Sequence, residues 1–233
     1  MPVIAGTSVA TTLVGSLLPT PIITAETFTD PPLPAPLFPA EEKLITGAAA
    51  GRRREFGTCR ACARQALERL GIPPVAILRD PHGAPLWPSG VVGSLTHCAG
   101  YRAAAVARAA DVAALGIDAE PHAPLRHSTV LERVTIPEER KQLAALSACR
   151  PDIRWDRLLF AVKESIYKAW YPLTEVVLDF DDSVVAIHPH SGTFKARMLG
   201  RNPIVNGVRL STFHGRWLIA EGLVVTAAAL RRP

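Results

Sequence analysis

Cysteine is scarce in this chain. Four occur in 233 residues, at positions 59, 62, 98 and 149. That is too sparse for a disulfide framework to replace a core in a chain this long. Cys59 and Cys62 form a C-x-x-C, yet no second pair follows at zinc spacing, and the surrounding "TCRACARQALERL" reads as helix with no strand before it. Packing on a helix face is the expected role. Long apolar runs are missing too. No stretch reaches the ~20 residues that cross a bilayer. Residues 1–23, "MPVIAGTSVATTLVGSLLPTPII", lack the basic leader of a signal peptide. A cytoplasmic location is expected. Nor is there a nucleophile elbow: in "GSLTH" position 97 is His where G-x-S-x-G needs glycine, which argues against Ser94 as a hydrolase nucleophile. There is no helix-turn-helix spacing, no RNP-like aromatic motif, and no internal repeat visible in the letters.

What is present suits a folded chain. Hydrophobic residues make up 48% and charged ones 20%, enough for one large domain or two small ones with a real core. The net charge of +5 fits either a solvated basic surface or an anionic partner.

Local pattern gives a coarse map. Weak alternation over residues 1–25 predicts a short strand near Thr12–Leu18. The proline-dense "DPPLPAPLFP" is extended or turning. Helices are expected over Pro39–Gly51, Arg54–Leu70, Ile136–Ser147 and Trp155–Tyr171, with Pro137 in a first turn. The alanine-rich run from Tyr101 could be helical by propensity, but it ends in Leu-Gly-Ile-Asp-Ala-Glu-Pro. A hairpin of Tyr101–Arg108 and Val112–Glu120 is preferred. Short β-like runs follow: "SVVAIH", "TFKARML", "GVRLSTF", "RWLIAEG" and "LVVTAAAL". The order predicts an α+β fold. A boundary near Pro121–Arg126 would divide the chain into similar halves, 1–121 and 122–233.

Four stretches carry candidate chemistry. In "GIDAEP", Asp118 and Glu120 are two apart on an expected strand, so both face one side. They are either solvated acids at a strand end or a pair held together by a cation such as Mg²⁺, which takes carboxylate oxygens plus phosphate. In "FAVKESIYKAW", Glu164 and Lys168 share a helix face, and Lys163 points elsewhere. They are either a surface ion pair or a third carboxylate with a phosphate-binding lysine. In "GSLTHCAGY", small residues precede His97 at a strand end, where an imidazole could meet a phosphate or bury in the core. In "GRRREFGTCR", Arg52, Arg53, Arg54 and Arg60 cluster, and guanidinium groups match phosphate.

Taken in order, "RRREF…R", "GAPLWP", "GSLTH", "GIDAEP" and "WDRLLFAVKESIYKAWYP" resemble the Sfp-type 4′-phosphopantetheinyl transferases, above all their actinobacterial branch. The likeness spans roughly residues 12–230. Each motif alone is weak; five in order are specific. The resemblance implies transfer of the phosphopantetheine arm of coenzyme A to a serine of an acidic apo acyl or peptidyl carrier protein, with release of 3′,5′-ADP. Fatty-acid, polyketide or nonribosomal peptide synthases would thereby be activated. It implies a monomeric pseudo-dimer of two α+β halves with coenzyme A between them, and partners that exclude nucleic acid and membrane. It assigns Asp118, Glu120 and Glu164 to a Mg²⁺ (or Mn²⁺) site. Glu164 is a candidate general base, with a metal-linked water as its rival, and Asp118 and Lys168 complete the catalytic set. Arg52, Arg60, Arg79, Gly83, Pro85, Thr96, His97 and Lys168 would bind coenzyme A. Two departures stand out: "GAP" at Gly83–Pro85 replaces the more common G-K-P, and Arg79 falls where relatives often carry lysine.

Overall fold

The computed structural model describes residues 12–32, 35–125, 128–200, 203–205 and 207–232. Residues 1–11 of the weakly alternating segment, and Arg126 at the expected boundary, lie outside the described residues.

Leu13–Leu17 is a helix (α1), not the expected strand. Side chains answer its free N–H groups, which is what a helix start requires. Thr12 Oγ1 accepts from Gly15 at 2.9 Å, and the Glu26 carboxylate accepts from Leu13 at 2.8 Å and Val14 at 3.4 Å. Glu26 comes from the strand β1 (Ile23–Thr27). Helix α2 (Pro39–Leu44) opens on its proline and stops well before Gly51, because the chain turns through Gly47 at φ +76°. Helix α3 (Ala50–Arg69) buries Phe56, Cys59, Cys62, Ala63, Ala66 and Leu67. Cys59 and Cys62 thus pack on a helix face and are unpaired, as expected. Gly71, at φ +77°, follows the end of α3. The turn-rich stretch holds a two-stranded hairpin, β2 (Leu78–Arg79) and β3 (Pro85–Leu86).

Strands β4 (Val91–Cys98) and β5 (Tyr101–Arg108) complete a sheet of order β1-β5-β4. The alanines of β5 explain themselves here. Ala104 and Val106 pack against α3, while Ala103, Ala105 and Ala107 pack toward the other half of the molecule. Small side chains let layers close on both faces, so packing overrides helix propensity.

Strand β6 (Val112–Pro121) has the expected position but not the expected partner. Strand β5 already uses both edges, on β1 and β4, so no β5–β6 hairpin ladder forms. Strand β6 instead pairs antiparallel with the last strand of the chain. That sheet follows α4 (Ser128–Val134), α5 (Pro137–Cys149), α6 (Trp155–Thr174) and a single 3₁₀ turn at Phe180–Asp182. Its strands are β7 (Ser183–His188), β8 (Thr193–Met198), β11 (Thr212–Ala220) and β12 (Leu223–Arg231), in the order β6-β12-β11-β8-β7. The short β9 (Ile204–Val205) and β10 (Val208–Arg209) pair with each other, so "GVRLSTF" is broken rather than continuous. Residues 112–121, placed in the first half by a division after 121, are therefore hydrogen-bonded into the second sheet.

Helix α6 packs on this sheet through Trp155, Leu158, Leu159, Val162 and Ile166, each at most 1% exposed. Each large side chain contributes roughly 1.5–3 kcal/mol on burial. Close approach is set by Gly116 on β6. A Cβ there would lie 1.8 Å from the Ser165 carbonyl oxygen and 2.7 Å from the Ala169 nitrogen.

The two halves meet along β4 and β6, which run in the same direction without a backbone ladder. Hydroxyls bridge them: Ser94 Oγ accepts from Ile117 N–H at 3.1 Å, and Thr96 Oγ1 from Ala119 N–H at 3.0 Å. The halves also share a device, marked in the sequence by Pro39-Ala40-Glu41-Glu42-Lys43 and Pro137-Glu138-Glu139-Arg140-Lys141. In α2, Phe38-Pro39-Ala40-Glu41 leads a fully buried glutamate; in α5, Ile136-Pro137-Glu138-Glu139 does the same. Each glutamate accepts from the N–H of its own N-cap residue at 3.0 Å and from a strand or strand-approach residue, Ile77 at 2.8 Å or Val185 at 2.9 Å.

Candidate active site

Strand β6 delivers Asp118 and Glu120 to one face, beside the closely packed α6. Asp118 is 4% exposed. Its Oδ1 accepts from Lys168 Nζ at 2.6 Å and from the Thr96 hydroxyl at 3.1 Å, while its Oδ2 is buried with no partner. Glu120 Oε2 meets Arg157 Nη1 at 2.9 Å. Arg157 is itself fixed by the carbonyls of Ala123 and Pro124. Lys168 also reaches the Ile117 carbonyl at 3.3 Å.

Charge is crowded here. Burial pushes the Glu164 carboxyl up, and Asp118 adds to this against Lys168. Burial likewise pushes Glu120 up, with Asp118 next, against Arg157 and Lys168. Burial works against the charge on Lys168, but Asp118, Glu164 and Glu120 more than offset it, and its pKa ends above the ordinary lysine value. Of the three acids, Asp118 is the one the Lys168 ammonium contacts, and Glu120 is paired with Arg157.

Among the described residues, no three His, Cys, Asp or Glu side chains converge closely enough to hold a metal as they stand. Their chemistry nonetheless fits one. Asp118 Oδ2 is an orphaned buried oxygen, and the like charges of Asp118 and Glu120 push against each other. A hard cation relieves both.

Beside this cluster lies a cavity of about 260 Å³. One wall belongs to α6: Glu164, Tyr167, Lys168 and Tyr171. The facing wall comes from the first half: Arg52, Phe56 and Arg60 of α3, Arg79 and Gly83–Pro85 of the small hairpin, and Ser94 and His97 of β4. Gly83 lies at φ +89° in a turn closed by Asp80, whose carboxylate accepts from His82 and Ala84 at 2.9 Å each. Arg60 is buried, donates through Nε to the Ile77 carbonyl at 2.8 Å and lies 4.2 Å over the Phe56 ring. Arg52 Nη1 is 2.5 Å from Glu55 and 3.0 Å from His97 Nε2. Burial pulls the His97 pKa down, Glu55 opposes this, and Arg52, Lys168 and Arg102 pull further down.

The structure thus brings Arg52, Arg60, Arg79, Gly83, Pro85, His97, Glu164 and Lys168 around one cavity. Thr96 is not on its lining. That hydroxyl orients Asp118 and joins the halves instead. Lys163 points away, into a buried pair with Glu139 at 2.8 Å. Sequence reasoning missed Arg157, Phe56, Tyr167 and Tyr171. The two tyrosines, four apart on α6 and stacked with ring centroids 5.8 Å apart, left a readable i, i+4 signal; Arg157 left none.

Two α+β halves place Arg52, Arg60 and Arg79 across a cavity from Glu164 and Lys168, an arrangement of charge suited to a substrate rich in phosphate. Residues 40–107 match the 4′-phosphopantetheinyl transferase N-terminal domain, and residues 114–226 match the 4′-phosphopantetheinyl transferase superfamily. The chain is 54% identical to the 4′-phosphopantetheinyl transferase Svp of Streptomyces mobaraensis over 223 residues, covering 95% of this chain and 90% of that one. It is 45% identical to PptT of Mycobacterium tuberculosis (94% and 98% covered) and 44% identical to Npt of Nocardia iowensis (93% and 99% covered), both also 4′-phosphopantetheinyl transferases. The chain belongs to the 4′-phosphopantetheinyl transferase superfamily, whose members use coenzyme A and act on carrier proteins. No helix among the described residues is long and apolar enough to cross a membrane.

Proposed function

We propose that this enzyme transfers the phosphopantetheine arm of coenzyme A to a serine of an acidic apo carrier protein, with Mg²⁺ or Mn²⁺ as the metal. The observation that carries this reading is the facing arrangement of two chemistries across one cavity: the guanidinium groups of Arg52, Arg60 and Arg79 opposite Glu164 and Lys168, with Asp118 behind Lys168 at 2.6 Å.

Arg52, Arg60, Arg79 and His97 hold the nucleotide phosphates, and the Gly83–Pro85 turn lies against the adenine side. Lys168 neutralises pyrophosphate charge. Asp118, Glu120 and Glu164 would hold the metal, with Thr96 and Arg157 aiming the first two. When bound, the cation supplies charge neutralisation on the pyrophosphate oxygens, the larger part of catalysis in phosphoryl-type transfer. Glu164, on the cavity wall, takes the proton from the carrier serine as its oxygen attacks the β-phosphate. The P–O bond to 3′,5′-ADP breaks, and the nucleotide leaves from the arginine wall.

The +5 charge of the chain complements an acidic carrier and steers its approach. The enzyme works as a monomer in the cytoplasm, and nucleic acid is not its partner. The halves divide in the turn between β5 and β6, not after residue 121, since β6 is bonded into the second sheet. They are the two members of a pseudo-dimer, an assignment supported by the matched glutamates of α2 and α5.

The test is to mix protein, coenzyme A, Mg²⁺ and an apo carrier and to read intact mass. A gain of one phosphopantetheine arm on the carrier serine is expected. No gain with any of several acyl and peptidyl carriers overturns the reading.

A further inference from the structure

Glu41 does not line the cavity, yet it sits at the root of its arginine wall. It is 0% exposed, on a six-residue helix. Its carboxylate accepts from Phe38 N–H and Ile77 N–H, and from Arg64 at 3.1 Å, and it lies 3.8 Å from Arg60 Nε. Ile77 is held twice. Glu41 takes its N–H, and Arg60 donates to its carbonyl at 2.8 Å. From Ile77 the chain runs directly into β2, Arg79 and the turn at Gly83. Arg79 Nη2 in turn approaches the Leu44 carbonyl, at the end of the helix that carries Glu41.

The second half supplies a comparison within the molecule. Glu139 makes the same two backbone contacts and pairs with one cation, Lys163. That lysine spends its remaining donors on the Phe180 and Ser183 carbonyls, away from the cavity. One glutamate and one cation are thus enough to anchor a helix to a strand. The first half has Arg64 for that purpose and adds Arg60, which faces the cavity.

We propose that Glu41 is a positioning residue for substrate binding: it acts through Arg60 and Ile77 to hold the guanidinium wall and the adjoining hairpin in register with the substrate phosphates. Burial alone works against the charge on Arg60, and Glu41 opposes that loss. The inference rests on the coenzyme A reading above.

The experiment compares Glu41→Gln with Glu139→Gln, its counterpart in the other half. Both should lower the melting temperature, because each leaves buried donors poorly answered. Only Glu41→Gln should raise KM for coenzyme A, by about tenfold, with kcat within about twofold. Calorimetry should show the same loss for coenzyme A and for adenosine 3′,5′-bisphosphate. Adding Glu41→Gln to Arg60→Ala should change KM little, since the pair acts as a unit. If Glu41→Gln does not fold, Glu41→Asp is read with the same expectation, since it keeps the charge but draws it back from Ile77. Equal KM for the Glu41 and Glu139 variants would overturn the inference and leave Glu41 as a fold anchor only. Failure of the wild-type protein to bind coenzyme A at all would instead overturn the reading beneath it.

Discussion

Lys168 Nζ lies 2.6 Å from one carboxylate oxygen of Asp118, while the other oxygen of that carboxylate is buried without a partner. The half-answered acid is the strongest sign of a cation-binding role in the molecule. Asp118→Asn removes the charge but keeps the shape. It should cut turnover by at least about 100-fold, the scale of losing one electrostatic element of a transfer site. Raised Mg²⁺ should protect the wild-type protein against heat and protect this variant less. Equal protection would place the metal elsewhere.

Glu120 is the more exposed acid and is tied to Arg157 at 2.9 Å. Glu120→Ala should abolish turnover while coenzyme A still binds, because the proposed nucleotide grip, Arg52, Arg60 and Arg79, lies on the other wall. Undiminished turnover would remove Glu120 from the metal site. Arg157→Ala should weaken turnover less, since it releases an acid without deleting it.

His97 sets a pH dependence. Its pKa is held below the ordinary 6.5, first by burial, so the imidazole is neutral at pH 7. Protonation adds a positive charge toward a phosphate. Affinity for coenzyme A should therefore tighten as pH falls below 6.5 and weaken as it rises. The phosphate titrates nearby, so the quantity to read is the difference between wild type and His97→Ala across pH 5–7.5. Parallel curves for the two proteins would show that His97 carries none of the dependence.

Gly116 is required by its neighbours. An added methyl would sit 1.8 Å from the Ser165 carbonyl oxygen. Gly116→Ala should cost about 1–3 kcal/mol or more, because backbone must move. It should also lose activity beyond the stability loss, as α6 and with it Glu164 and Lys168 are pushed off Asp118. Denaturant unfolding together with activity at low temperature separates the two effects.

The cysteines give a chemical check on packing. Burial pushes the Cys59 thiol up to about 12 and Cys62 up to about 11. Neither should react with a disulfide reagent at pH 8 until the chain unfolds, whereas the exposed Cys149 should react at once. Rapid loss of all four thiols in the native protein would contradict the packing of α3 on the first sheet.

Periodicity and end signals made much of this architecture readable. Trp155 to Tyr171 shows a helical stripe, and Pro137 marks a first turn. "SVVAIH" reads as a short β-like run and is β7 as written. What escaped was non-local. The partner of β6 is a strand more than a hundred residues later, and nothing local distinguishes that pairing from a hairpin with β5. Helix α1 escaped because its N–H partner, Glu26, lies on the next strand. The match between Glu41 and Glu139 escaped because the P-x-E-x-K they sit in is only five residues long, and the shared contacts run to Ile77 and Val185, far along the chain. Spacing and resemblance together singled out Asp118, Glu120, Glu164 and Lys168; of these, Asp118 and Lys168 meet at 2.6 Å. Thr96 was assigned to substrate; in the structure its hydroxyl donates to Asp118 and accepts from Ala119 N–H.

The bridge between β4 and β6 has one more consequence. Two serine and threonine oxygens, not a ladder, answer the Ile117 and Ala119 N–H groups on either side of Asp118. The acid belongs to one half by hydrogen-bond ladder and is aimed by the other. A fragment holding only residues 112–232 would carry Asp118, Glu120, Glu164 and Lys168 but no arginine wall, and Asp118 would lose the Thr96 hydroxyl that helps fix it. The assembled site therefore reports that both halves have folded, and proofreading of the fold is built into the place where the chemistry happens.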